Sequence, residues 1–353
     1  MTARMSVGLP VFGTFDDAYR AVLHQILTQP DYFAATRGGP LRNEVLSAGF
    51  VLADPRQRVL YSAVRRPNIV LQYAEALWHL AGRDDLDMIS YYAPRLRRLP
   101  ADGVRLTGTA YGNRLFTPRG HSQWDRVIDL LRADPGSTRA ALPVMRPDEL
   151  RDPGDPDVAR ALAVQFLIRD GALHTVAFVR GQDAWNGLVS DVFSFTLIAE
   201  FTASALGVPL GTYTHLVSSM HLTAADVPGA QTVLAENAAL MPNPPVMPPT
   251  GWGTLGTVLS WERHLRLNDG PLDLDAPDVA ILAPYWQHVL LLLEMYRQIT
   301  RREGQVSAGV LDPLPAPWRW LIAQRWPGRI PPLYVPASPR PAQGCVRRPS
   351  SAR

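Results

Sequence analysis

Between residues 180 and 191 the chain gathers Arg180, Gln182, Asp183, Asn186 and Asp191 around two glycines, Gly181 and Gly187. An arginine and two acids at a strand end, beside the start of an apolar helix, can form a site for an anionic ligand. An ordinary polar turn has the same composition, and this stretch alone does not choose between the two. Glu75 is a second candidate, because it stands within an apolar helical face rather than in a charged cluster. It is either a residue on the helix flank or a buried acid with a raised pKa, able to carry a proton. Arg37 and Arg42 lie on a Gly/Pro loop, residues 36–43. Guanidinium forks and backbone N–H groups on such a loop can converge on a phosphate, although a solvated loop reads the same way.

These groups need elements to hold them. Residues 165–168 and 173–179 read as two strands joined by the tight-turn dipeptide Asp170-Gly171, hence a hairpin. The apolar run 192–206 is long enough for a buried helix. Thr14 and Asp17 resemble a capping box that opens a helix with Phe15, Tyr19, Leu23 and Ile26 on its apolar face, ended by Pro30. Asn68 can cap a helix from residue 69 to about residue 80. Residues 46–52 and 140–145 read as strands, and 124–131 as a helix. A Pro-rich stretch, 241–251, is a linker or an extended crossing segment. Residues 279–302 should form one long helix with Pro284 as its point of bending, and Trp318, Trp320 and Trp326 should pack onto the body. A mostly helical stretch up to residue 327 is followed by a Pro/Arg tail at 328–353 with the composition of disorder.

Composition excludes several chemistries. All 35 basic side chains are Arg, so Schiff-base chemistry, PLP attachment and a Walker-type phosphate loop are out. The single cysteine, Cys345, lies in the tail, which excludes a disulfide framework and a cysteine-rich zinc site. The pI of 9.2 belongs to that tail, where five Arg meet no acid; the rest is slightly acidic and carries no nucleic-acid signature. No run of eighteen apolar residues and no signal pattern occurs, so no membrane partner is expected and the cytoplasm is the default location.

Several fragments together carry a resemblance. One series runs Gln165-Phe166-x-Ile168-Arg169-x-Gly171-x-Leu173, then Arg180-x-x-Asp183-x-x-x-Gly187, then residues 211–221 ending in His221. Glu75-Ala76-Leu77-Trp78, Gly108-Thr109-Ala110-Tyr111-Gly112 and Asp134-Pro135-Gly136-Ser137-Thr138-Arg139 precede it. From about Arg37 to His221, in order and with few gaps, the series resembles the thymidylate synthase family, which includes the dCMP and CMP hydroxymethylases. The resemblance implies a mixed α/β fold, a large twisted mixed sheet flanked by helices, as a homodimer joined through sheets with shared active sites. It fades beyond about residue 235, which makes 1–235 the nucleotide-binding core and the remainder a divergent helical extension.

The same resemblance implies a pyrimidine nucleotide as substrate and 5,10-methylenetetrahydrofolate as cofactor, with no metal. Arg37, Arg139 and Arg180 match phosphate positions, Arg139 reaching across the dimer, and Arg160 is a candidate addition. Gln165, Asp191 and His221 join them in the substrate site. Glu75, Tyr111, Arg160 and Asp191 form the catalytic set. Asp183 matches the position that hydrogen-bonds the pterin; Gly187 belongs to that pocket, and Trp78 and Trp185 either line it or are core. The family counterpart of Asp191 is Asn for uracil and Asp for cytosine, and a protonated carboxyl matches cytosine's N3 acceptor and N4 donor. That favours CMP or dCMP, while an Asp favoured by a helix N-terminus is the alternative. Thr223 replaces the tyrosine of the family's His-x-Tyr motif.

One departure bears on mechanism. The family's nucleophilic Cys lies five residues before the glutamine matched by Gln165, and here that residue is Arg160. Three readings remain open: a folate-dependent one-carbon transferase, methyl or hydroxymethyl, that works without the thiol; a nucleotide-binding protein that has lost catalysis; and a repurposed hydrolase using Glu75.

Overall fold

The computed structural model describes residues 8–35, 39–99, 102–117, 122–237 and 244–334. Arg37 and residues 335–353 of the tail, Cys345 included, lie outside the described residues.

Eight strands form one mixed sheet. They are β1 (Val11–Phe12), β2 (Tyr32–Ala35), β3 (Leu41–Leu52), β4 (Ala141–Pro143), β5 (Ala161–Arg169), β6 (Ala172–Val179), β7 (Gln182–Asp183) and β8 (Leu210–Thr223). The order is β1-β3-β8-β6-β5-β4, with β2 beside β3 and β7 beside β8. The expected hairpin is β5–β6, and its turn residues Asp170 (φ 50°) and Gly171 (φ 74°) both take the left-handed conformation that a two-residue turn demands. β3 is longer than its apolar core because it pairs antiparallel with β8 from Arg42↔Thr223 to Leu52↔Tyr213. β6 and β7 both run parallel to β8, so the chain leaves β6 at Arg180 and rejoins the sheet at Gln182.

Helices cover one face. Thr14 accepts from the Asp17 N–H and starts the helix Phe15–Thr28. Asn68 accepts from the Leu71 N–H and starts Ile69–Leu80. The central helix, Gly187–Leu206, begins before its apolar run, which places Ser190 and Asp191 within its first turns. By length and composition that helix could cross a membrane; burial within the fold accounts for its apolar character.

Beyond residue 247 the chain is mostly helical, with Trp252–Leu267, Pro284–Arg301 and Ala316–Arg325 as its main helices. The single helix expected over 279–302 is two, Pro277–Ala280 and Pro284–Arg301. Pro284 starts the second, a position where its missing N–H would have had no partner anyway. Trp318 and Trp320 are buried, with Trp318 against Tyr73 at 5.1 Å between ring centroids, and Trp326 is partly buried. Glu262 and Arg266 (2.8 Å) join the hydroxyl of Tyr92 (3.0 Å) and the carboxylate of Asp87 (2.8 Å), tying this region to the core.

Candidate active site

A cleft of about 390 Å³ opens where six segments meet. The Ile69–Leu80 helix brings Glu75 and His79, and the helix Tyr111–Phe116 brings Tyr111. Arg160 stands at the entrance to β5, and Asp183 closes β7. The central helix adds Gly187, Ser190 and Asp191, and the turn Pro94–Arg98 adds Arg95 and Arg98.

Two carboxyls dominate the chemistry. Burial, followed by the negative charge of Asp191, pushes Glu75 up to about 7, against the opposing pull of Arg95, Ser190 and Arg160. Its Oε2 is buried without a hydrogen-bond partner. A carboxyl with that pKa is divided between acid and base at neutral pH, the condition for moving protons. Burial raises Asp191 to about 6, while the Gln182 Nε2–H donor at 3.0 Å and Arg160 hold it down.

Tyr111 is stacked between His79 (5.4 Å, 9°) and Phe195 (5.8 Å, 11°). Burial raises its phenol, which stays protonated and accepts from the Ala161 backbone. The His79 ring is held neutral by burial, with its pKa lowered to about 3, and its Nδ1 accepts from the Gly112 N–H at 3.1 Å. That bond leaves the ring proton on Nε2. Gly112 is required here, because a Cβ would fall 2.0 Å from the His79 carbonyl oxygen.

Arg160 is exposed and its side chain makes no hydrogen bond or ion pair with the described residues, yet its charge acts on Glu75, Tyr111, Asp191 and His221. An unengaged guanidinium beside two protonatable carboxyls is suited to an anionic group of a ligand. A backbone framework holds it in place. Arg180 donates through Nε to the Ala159 carbonyl (2.8 Å) and through Nη2 to that of Val158 (3.2 Å). Asp157 accepts from the backbone N–H groups of Thr107 (2.6 Å), Gly108 (3.1 Å) and Thr109 (2.8 Å), so the loop bearing Thr109 is fixed to the segment leading to Arg160.

Of the residues picked out by sequence, Glu75, Tyr111, Arg160, Asp183, Gly187 and Asp191 come together in the cleft. Others do not line it. Arg180 is occupied by carbonyls, and Arg139, expected to serve a second copy, is exposed away from the cleft. Gln165 spends its Nε2 on the Thr138 carbonyl at 2.7 Å. Trp78 is core, fully buried with Nε1–H donated to the Asp85 carbonyl at 3.1 Å. Trp185 lies under the Arg65 guanidinium, 5.0 Å from its ring centroid. His221 stands beside Asp183 in the β7–β8 register, with its Nδ1 buried and unpaired and its pKa lowered by burial. Asp183 accepts from the N–H groups of Trp185 (2.8 Å) and Asn186 (3.1 Å), so part of its capacity shapes the turn. Sequence reasoning missed His79, Arg95, Arg98, Ser190 and Asp157. His79 lies four residues after Glu75, a spacing that shares a helix face, which was the available signal for it. Among the described residues no group of three or more His, Cys, Asp or Glu could hold a metal ion.

Residues 55–247 match the family model described as thymidylate synthase, more than half of the chain. The chain belongs to the thymidylate synthase family. A deoxyuridylate hydroxymethyltransferase from Bacillus phage SP01 is 27% identical over 217 residues, 58% of this chain and 56% of the relative. A protein of the same name from Pseudomonas phage M6 is 27% identical over 188 residues, 53% of either chain. The thymidylate synthase of Symbiobacterium thermophilum is 26% identical over 164 residues, covering 42% of this chain and 57% of the relative. The chain thus spans about half the length of the curated relatives it matches. The family match covers the whole cleft from Glu75 to Asp191 and stops short of the three C-terminal helices.

Proposed function

We propose that this protein transfers a one-carbon unit, as hydroxymethyl or methyl, to the ring of a pyrimidine nucleotide bound in the cleft. The observation that carries the reading is the pair Glu75 and Asp191, both raised towards neutrality and facing the unengaged Arg160. Glu75 takes the proton that leaves the ring carbon when the new C–C bond forms, and returns it to the leaving amine or to solvent. Asp191 in its protonated form donates to N3 and accepts from the exocyclic amine of cytosine, so CMP or dCMP is the favoured substrate. Arg160 holds an anionic group of the nucleotide.

The family's cofactor, methylenetetrahydrofolate, would supply the electrophilic carbon and, where the product is methyl, the hydride that reduces it; water would supply the hydroxyl where the product is hydroxymethyl. The cleft offers a fit through its shape: Gly187 leaves room beside Arg160, Leu96 and Leu99 form an apolar wall, and the Asp183 carboxylate stands at the edge. These residues would orient the one-carbon donor against the ring.

A homodimer through the sheet belongs to the same reading. Leu162 (37% exposed), Phe178 and Leu216 form an apolar groove with Ala48 on the sheet, and Arg139 is exposed and available to a second copy's cleft. Light scattering at micromolar concentration should give twice the chain mass; a strict monomer would remove the shared-site part of the reading.

The decisive assay is release of tritium from C5 of labelled dCMP, CMP or dUMP in the presence of methylenetetrahydrofolate, paired with calorimetry of each nucleotide. Cytosine nucleotides should bind and exchange faster than dUMP, and Glu75→Gln should abolish exchange while sparing binding. Binding with no exchange under any condition would leave only a nucleotide-binding protein.

A further inference from the structure

His79 is the buried cleft residue that the proton chemistry of Glu75 and Asp191 leaves unused. It stands one helical turn beyond Glu75 on the Ile69–Leu80 helix, is 2% exposed, and forms part of the cleft wall. The short helix Tyr111–Phe116 has no side-chain cap at its start, so the Gly112 N–H finds no acceptor within its own helix. His79 Nδ1 supplies one at 3.1 Å. A backbone N–H can only donate, so Nδ1 keeps its lone pair and the neutral ring carries its proton on Nε2.

The direction of that Nε2–H is fixed from several sides. Tyr111 lies parallel to the ring, 5.4 Å away at 9°, and Trp78 packs against it at 5.1 Å and 49°. Gly112 lets the two helices approach so closely that a Cβ would fall 2.2 Å from the His79 Cα. Among the described residues no acceptor takes the Nε2–H, and the atom is not sealed in the core but opens on the cleft. Buried donors are normally paired, and one left unmatched at a cleft wall is matched by what the cleft holds. Arg95, Arg98 and Arg160 line the same cleft and are the stronger partners for anionic groups. A neutral N–H is suited instead to an uncharged acceptor.

We propose that His79 is a specificity-determining residue of the cleft, its Nε2–H donating to a carbonyl oxygen or an unprotonated ring nitrogen of the heterocycle bound there. The inference rests on the reading that a pyrimidine nucleotide and its one-carbon donor occupy the cleft. The pyrimidine and the pterin both carry such lactam-type acceptors, so the chemistry is common to the two. A heterocycle that turned an N–H or a methyl group towards Nε2 would leave the donor unmatched and be rejected. Glu75 and His79 stand one turn apart on one helix face, so the same contact also fixes where the ring sits relative to the proton-carrying carboxyl.

The test uses the full chain with nitrogen-15-labelled histidine, the His79 signals identified by their contacts with the Tyr111 ring. In the free protein they should show a neutral ring protonated on Nε2; a proton on Nδ1 overturns the proposal. dCMP, dUMP and tetrahydrofolate are then titrated separately, with calorimetry recording the binding of each. The Nε2–H proton resonance should move downfield on saturation with the ligand that accepts from it, which separates pyrimidine from pterin. His79→Phe should weaken that ligand by about tenfold or more, while His79→Gln, which keeps a neutral N–H donor, should stay within about threefold. The wild-type spectra carry the test if loss of the Gly112 acceptor disturbs folding of the variants. Binding with an unmoved resonance, or with equal affinity in His79→Phe, overturns this proposal and leaves the pyrimidine reading intact; no binding of any of the three ends both.

Discussion

Buried carboxylates occur in two settings in this molecule, and the settings differ in what has been done about the charge. In the frame, Glu149 receives both Arg114 Nη1 (2.9 Å) and Nη2 (2.6 Å), and then accepts the backbone N–H groups of Arg146 (2.8 Å) and Ala159 (3.0 Å). Glu200 is met by Arg58, Arg56 (3.3 Å) and the Met247 N–H (3.0 Å). In the cleft, Glu75 keeps a buried oxygen without a partner, and among the described residues no arginine is in hydrogen-bond contact with either Glu75 or Asp191. Burial works against ionisation at Glu149, Glu75 and Asp191. Where donors saturate the carboxylate, Glu149 is held down to about 2; where they do not, Glu75 rises to about 7. The first arrangement specifies a backbone path, and the second leaves a proton free to move.

The comparison is broken most forcefully at the frame. Arg114→Met should leave Glu149 buried without its cation and cost about 3–5 kcal/mol in urea unfolding at pH 7. The pH dependence gives an independent reading. Glu149 has a depressed folded pKa, so its stabilisation is complete above the unfolded value of about 4.5 and disappears as pH falls towards 2. The mutant should therefore show a shallower acid limb than the wild type. A loss below about 1 kcal/mol would mean that the pair specifies no more than an exposed one does.

Smaller effects are expected in the cleft, and their sign reverses. Arg160→Ala should weaken pyrimidine nucleotide binding by about 1.5–3 kcal/mol, the scale of a charge-assisted hydrogen bond, while changing stability little because the side chain has no partner among the described residues. Unchanged affinity and unchanged activity would remove Arg160 from the site. For Glu75 and Asp191 the folded pKa values are raised, so their contribution to stability is present below the unfolded values and fades as pH rises through about 6 and then about 7. Glu75→Gln removes the larger part of that decline. Melting temperatures from pH 5 to pH 8 should fall less steeply in the variant, and parallel curves would contradict the raised pKa.

Much of the frame was legible in sequence because its signals are local. Thr14 and Asn68 cap the helices their side chains announced, and Asp170-Gly171 turns the hairpin. Glu75 stood out because an acid in an apolar face has few explanations. What stayed hidden depends on groups far apart in the chain. Asp157 read as one acid in a proline-rich loop, yet its role is to bind three N–H groups some fifty residues upstream. Arg180 and Trp78 matched functional positions, but carbonyls at 158 and 159 and at 85 take up their donors. Pro284 was read as a bend rather than a start because helix N-termini and kinks draw on the same residue. Arg325 lies some 230 residues from Arg95, and only the packing of the last helix brings them into one cavity.

The finest contrast between the two settings lies at Gly187, where frame and cleft touch. A Cβ there would sit 2.6 Å from Gln182 Nε2 and 3.0 Å from Arg160 Nη1. Both are ends of side chains, so Gly187→Ala should cost no more than about 1 kcal/mol in stability and could even gain from a better helix former in the first turn. The two neighbours must nevertheless shift. Displaced Gln182 gives up its 3.0 Å hydrogen bond to Asp191, which is the main influence lowering that carboxyl. Asp191 should then rise above about 6, and the alkaline edge of cytosine-nucleotide binding should move to higher pH as the protonated form persists. Affinity measured for dCMP across pH 5 to 8 in both proteins reads the shift. Coincident profiles would show that Gln182 does not set the protonation of Asp191, and that the cleft tolerates a methyl group where the sequence places none.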